Sequence, residues 1–226
     1  MRAYVITTPD NHGRVADLSN YPSILPTPEL FFGVTPNDIR TPNWWLESHK
    51  KHKDNVPERV YCCNKSKELL LRKHREQFPN EDILLMEDDV IFTEDADKKY
   101  TDFLCNLPGN WGIQFLGGWH EFSQTKTPYE VVPGVLRCLN VLGSEAVLIR
   151  SSLIDKAIDT WTITPDNDYY ICDWQLVNMQ QRYMCYAPIG FVAYQQSGFS
   201  TLWQKERVWE RQRFYYKSLD GKLYYY

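Results

Sequence analysis

The apolar positions of this chain fall into short continuous runs separated by stretches with helical spacing. Ile83-Leu84-Leu85-Met86 is unbroken, as expected of a strand buried on both faces of a largely parallel sheet. Ala3-Tyr4-Val5-Ile6 predicts a short N-terminal strand ending at Thr7-Thr8-Pro9. Leu30-Phe31-Phe32-Gly33-Val34 predicts a second, closed by the turn residues of Thr35-Pro36-Asn37-Asp38. Residues 111–116 read as a further buried strand that stops at the paired Gly117 and Gly118, and residues 136–149 hold two shorter strand-like pieces. Helical spacing covers residues 64–78, with Asn64 as the N-cap, a segment opened by Ser152-x-x-Asp155, and residues 173–183. Residues 203–219 predict a basic aromatic helix, whereas residues 40–59 are basic, show no clean period and read as a loop. Without repeat or linker, this order predicts an α/β fold: one domain spanning 1–226, a mixed, mostly parallel central sheet, and helices flanking it.

Composition narrows the function classes. A chain of 226 residues with 43% hydrophobic and 24% charged residues is an ordinary globular protein, and a formal charge of -4 gives no electrostatic case for a nucleic-acid partner. The 15 Tyr and 8 Trp supply amphipathic rings that stack on sugars as well as fill cores. Six cysteines, Cys62, Cys63, Cys105, Cys138, Cys172 and Cys185, show no CxxC spacing, so they read as reduced core thiols. With no run of about 18 apolar residues and no signal-peptide core, the expectation is a soluble cytoplasmic protein without a transmembrane segment.

The candidate chemistry sits where the buried run stops. Glu87, Asp88 and Asp89 follow Met86 directly, and a strand buried in a parallel sheet delivers such residues to the carboxyl edge where ligands of open α/β folds bind. On an extended backbone Glu87 and Asp89 would face one way and Asp88 the other. Carboxylates this close raise a pKa or recruit a hard cation, Mn2+ or Mg2+, which takes only one or two of them and completes its shell with phosphate and water. A solvated acidic turn is the structural alternative. Gly117 and Gly118 would let backbone approach a ligand, and Lys65, in the first turn of the predicted helix, would reach a phosphate. His120 is a further candidate ligand. Glu94, Asp95 and Asp97 fit the first turn of a helix better than a metal site. Asp173 heads its own helix after a polar loop, as a base or simply as an N-cap.

Met86-Glu87-Asp88-Asp89-Val90 resembles the "LEDDV" segment of family 25-like glycosyltransferases, whose DxD-type motif on a GT-A fold holds the metal and diphosphate of a nucleotide-sugar donor. The segment ending at Gly117-Gly118 is similar to the family's "iiyLGg", Asp173-Trp174 to its "vDw", and residues 186–200 to its closing segment. The resemblance implies a single GT-A-like domain and a hexosyltransferase moving sugar from a UDP-sugar to a glycan or glycoprotein acceptor. Asp89 with Glu87 would hold the metal, and Asp88, Thr7 and Thr8 would belong to the donor site. Asp38 would meet base or ribose, Lys65 or Arg72 would meet phosphate, and Asp173 would be the general base of an inverting reaction. One departure is visible: Asn64-Lys65-Ser66-Lys67 stands where the family has Ser-His. A catalytically inactive sugar-binding or scaffolding relative therefore stays open, as does retention. A dehalogenase-type phosphatase does not fit, because it needs Asp at the position of Glu87.

Overall fold

The computed structural model describes residues 1–9, 16–50, 56–120, 126–166, 172–200, 205–207 and 215–225. Its first half runs β1 (Arg2–Thr7), β2 (Glu29–Phe32), α1 (Asn43–His49), α2 (Pro57–Gln77), β3 (Ile83–Glu87), β4 (Val90–Phe92), α3 (Ala96–Asn106) and β5 (Ile113–Phe115). Next come β6 (Trp119–His120), β7 (Tyr129–Val132), β8 (Val135–Arg137), β9 (Val141–Leu142), β10 (Ala146–Ile149), α4 (Ile154–Trp161) and α5 (Cys172–Gln180). The remainder is β11 (Cys185–Pro188), β12 (Ala193–Gln195), β13 (Gly198–Ser200), β14 (Lys205–Arg207), β15 (Tyr215–Lys217) and β16 (Leu223–Tyr225).

Ten strands form one mixed sheet in the order β16-β15-β7-β8-β11-β5-β10-β3-β1-β2. The sequence predicts this architecture, and its parallel character is densest around the acidic motif, where β1 pairs in parallel with both β2 and β3. β10 then runs antiparallel to β3 and β5. Residues Ile83 to Met86 are buried on both faces, and their side chains divide by the period of two. Ile83 and Leu85 join Leu70 and Leu71 of α2, Trp161 of α4 and Leu176 of α5 on one face, while Leu84 and Met86 join Tyr100 and Phe103 of α3 on the other. This strand is the shared wall of two cores.

Three elements differ from expectation. Helix α2 begins at Pro57, with Pro in its first turn and Glu58 beside it, both favourable at a helix N-terminus. Asn64 is therefore no N-cap; it lies fully buried two turns inside. The supposed loop at 40–59 contains α1 and the start of α2, because Trp45 is fully buried and supplies the apolar anchor that the basic composition masked. Residues 215–217 are a strand rather than part of a helix, paired with β16, and Tyr216 stacks on Tyr224 at 5.4 Å.

Two contacts between layers position the site. Gly33 sits where β2 meets α2: a Cβ there would lie 2.5 Å from the Ser66 hydroxyl, which accepts a hydrogen bond from the Val34 amide at 2.9 Å. On the opposite side, the buried Arg137 guanidinium donates to the Gln180 and Tyr183 carbonyls, both at 2.8 Å, at the C-terminal end of α5. Gln180 in turn bonds the Val141 amide and carbonyl through its side chain, both at 2.8 Å. These contacts fix the axis of the helix whose first turn carries Asp173.

Candidate active site

The carboxyl ends of the parallel strands β1 and β3 open into a cavity at the sheet edge. Thr7 and Thr8 line it from β1, Glu87, Asp88 and Asp89 from the end of β3, and Thr35 and Pro36 from the loop after β2. Helix α2 contributes Arg59, Cys62, Cys63, Ser66 and Lys67, and Gln195 comes from β12. Spacings of three, four, seven and eight place the α2 residues on one stripe of the helix.

The three carboxylates do not alternate as on an extended strand, because β3 ends at Glu87 and the chain turns through Asp88 and Asp89. Each acid has its own partner. Glu87 Oε1 accepts from Lys67 Nζ at 2.7 Å and from Ser144 Oγ at 2.6 Å. Asp88 Oδ2 accepts from Thr7 Oγ1 at 2.8 Å, and the buried Asp89 accepts from Gln195 Nε2 at 2.7 Å. All three lie in one cavity, but Glu87 is tied to an ammonium while the two aspartates meet only neutral donors in these bonds.

The loop between β9 and β10 supplies Ser144 and Glu145. Gly143 turns it with φ +91, where a Cβ would meet the Glu145 carboxylate at 2.5 Å. Glu145 is fully buried, and desolvation, reinforced by the negative charges of Glu87, Asp173 and Asp89, raises its carboxyl well above the ordinary range. Ser144 Oγ also lies 3.1 Å from Asp173 Oδ1. Asp173 thus joins the strand-end acids through one hydroxyl, although it does not line the cavity itself.

Several residues proposed from sequence lie elsewhere. Lys65 and Arg72 occupy another side of α2, where each holds the buried Glu68 at 2.8 Å. Asp38 is exposed and accepts from the Thr35 amide and hydroxyl at 2.7 Å, so it caps the turn that brings Thr35 and Pro36 to the cavity. Gly117 and Gly118 serve chain against chain: a Cβ on Gly117 would stand 3.1 Å from the Ala193 carbonyl oxygen, and one on Gly118 2.7 Å from that of Leu142. His120 is buried against Phe191, with ring centroids 5.3 Å apart, and desolvation takes its pKa down to about 3. Asp168, the neighbouring carboxylate of the Asp173 segment, lies outside the described residues.

Arg59, Lys67, Ser144 and Gln195 were not singled out from sequence. Once Pro57 is taken as the helix start, the stripe of Arg59, Cys62, Cys63, Ser66 and Lys67 is visible in the periodicity. Nothing local marks Ser144.

Among the described residues no group of three or more His, Cys, Asp or Glu side chains is arranged to cage a metal ion. Asp88 and Asp89 offer hard oxygen donors in one cavity, and one or two carboxylates suffice for Mg2+ or Mn2+ when phosphate supplies the rest. That donor set fits such an ion. Glu87 fits poorly, since Lys67 already neutralises it. The described thiols of Cys105, Cys138 and Cys185 are in no disulfide, and among the described residues no helix is long and apolar enough to cross a membrane.

No family model matches the sequence, and no curated protein does. Among solved structures, A197 from STIV is similar with a TM-score of 0.39 and 13% identity, covering 99% of this chain and 93% of that one. A glycosyltransferase involved in the glycosylation of the major capsid of PBCV-1 gives 0.46 and 11%, covering 88% and 96%. UDP-glucose pyrophosphorylase complexed with UDP-glucose gives 0.41 and 8%, covering 83% and 90%. These likenesses are loose, and the functional reading rests on the site's own residues.

Proposed function

We propose that this chain is a GT-A-like, metal-assisted glycosyltransferase that moves a sugar from a nucleotide-sugar donor, a UDP-sugar, to a hydroxyl of a glycan or glycoprotein acceptor. The observation that carries this reading is the convergence of Asp88 and Asp89 with the Thr7 and Thr8 strand end in one cavity, beside a separate carboxylate, Asp173, tied to the same strand end. Short segments that resemble those of family 25-like enzymes are consistent with it.

In this reading Asp88 and Asp89 hold Mn2+ or Mg2+, which supplies Lewis-acid neutralisation of the leaving diphosphate. Glu87 moves from the metal set to the structural one. Thr7 and Thr8 offer hydroxyls to the donor, and Arg59 takes the place proposed for Lys65 and Arg72 as the cation facing phosphate. Asp38 acts on the nucleoside only by holding the loop of Thr35 and Pro36. Attack by the acceptor requires removal of its hydroxyl proton, and Asp173, at the start of α5, takes it as general base with inversion at the anomeric carbon.

The test is titration of UDP, GDP and CMP sugars against the protein with and without Mn2+, read as a shift in melting temperature. The expected result is a Mn2+-dependent shift with a UDP-sugar that Asp89→Asn abolishes while the fold stays intact. A UDP-sugar shift of equal size in Asp89→Asn would overturn the assignment of the turn.

A further inference from the structure

A buried cation lies beside the cavity. Lys67 is 2% exposed, and its ammonium donates to Glu87 Oε1 at 2.7 Å and to Ser144 Oγ at 2.5 Å. Ser144 Oγ also lies 2.6 Å from Glu87 Oε1 and 3.1 Å from Asp173 Oδ1. A hydroxyl has one hydrogen and two lone pairs. Lys67 occupies a lone pair, so the hydrogen serves one of the two carboxylates. Because Lys67 donates to the same Glu87 oxygen, Glu87 remains bonded when the hydroxyl turns to Asp173. The lysine thereby makes the serine's hydrogen available to a carboxylate on a different element.

We infer that Lys67 and Ser144 are positioning residues: they fix the Asp173 carboxylate to the end of β3, and so set the general base against the aspartates of the adjoining turn. This deepens the proposed function and rests on it for its catalytic consequence. The parts come from four places in the chain: α2, the end of β3, the loop after β9 and the first turn of α5. None of them holds Asp173 alone. A base displaced by even an ångström from its productive position loses much of its effect, which is why such a group needs support from packed elements.

The experiment combines a double-mutant cycle on the free protein with kinetics. Ser144→Ala, Asp173→Ala and the double variant are unfolded in denaturant; a hydrogen bond to a charged group predicts a coupling of about tenfold in the folding equilibrium constant. Additive effects, within about twofold, would overturn the tie. In transfer assays Ser144→Ala should lower turnover about tenfold with donor affinity unchanged, and Ser144→Thr, which restores the hydroxyl, should recover it. Turnover equal to the parent in Ser144→Ala, or no recovery in Ser144→Thr, would refute the positioning role. Lys67→Met should weaken the Ser144–Asp173 coupling, since Glu87 then competes for the hydroxyl; if that variant does not fold, the Ser144 variants carry the test. A parent protein that binds no nucleotide sugar defeats the proposed function, whereas the cycle, needing no ligand, judges the tie independently.

Discussion

Helix α2 carries ion pairs on two sides that are built in opposite ways. On the side away from the cavity the buried member is a carboxylate: the Glu68 side chain is 3% exposed, and Lys65 and Arg72, 30% and 51% exposed, reach it from the same helix. On the cavity side the buried member is the cation. The Lys67 side chain is 3% exposed, and the carboxylate it holds, Glu87, comes from another element and is 25% exposed. The first arrangement is a local i, i+3 and i, i+4 network whose redundancy tolerates loss of one arm. The second has one lysine beside Glu87, with Asp173 and the raised Glu145 close by. The first network closes within one helix, whereas the Lys67–Glu87 pair joins α2 to the strand end that lines the cavity.

The largest effect that can break this comparison is Lys67→Met. Removing one member of a buried pair leaves the other uncompensated and costs about 3–5 kcal/mol, whereas Lys65→Met should cost at most about 1 kcal/mol because Arg72 remains and the pair is partly solvated. Denaturant unfolding of the two variants measures both, and equal losses would remove the distinction. Next comes Asp173→Asn, which keeps the size and most of the capping capacity of the residue. Turnover should fall about 10²- to 10⁴-fold while melting temperature and donor affinity hold. A loss of stability without a loss of turnover would leave Asp173 as a helix cap.

Glu145 sharpens the comparison through pH. Its folded-state pKa lies above the ordinary value of 4.5, chiefly by desolvation, so between the two values the folded protein holds a proton that the unfolded chain releases. Folding stability therefore falls as pH rises from the unfolded value toward the folded one, by up to about 1.4 kcal/mol per pH unit. Glu145→Gln removes that loss. In chelator, its stability relative to the parent should grow steadily above pH 4.5 and be flat below it. A difference independent of pH would show the carboxyl to be ionised in the fold.

The elements legible in the sequence were those specified by their own neighbours. Ile83 to Met86 announced a doubly buried strand because an unbroken apolar run has no solvent face to offer, and Glu87 to Asp89 announced the sheet edge because charge cannot continue that strand. The helix start at Pro57 is hidden by the basic composition of residues 40–59, and with it the stripe from Arg59 to Lys67; a helix capped at Asn64 instead offers Lys65 and Arg72. Gly117 and Gly118, whose pairing in the sequence suggests backbone approaching a ligand, stand against Ala193 and Leu142. Ser144 had no signal at all. Its role depends on β10 running antiparallel beside β3, which brings the loop before β10 to the end of β3, and no local pattern encodes that return.

The central claim is that the turn at Asp88 and Asp89, rather than Glu87, takes a donor's metal in the cavity between β1 and α2. Calorimetric titration of a UDP-sugar with Mn2+ into the parent, Asp89→Asn and Glu87→Gln tests it most directly. The account predicts saturable, Mn2+-dependent binding in the parent, its loss in Asp89→Asn, and its survival in folded Glu87→Gln; binding that survives in Asp89→Asn but disappears in Glu87→Gln would contradict it.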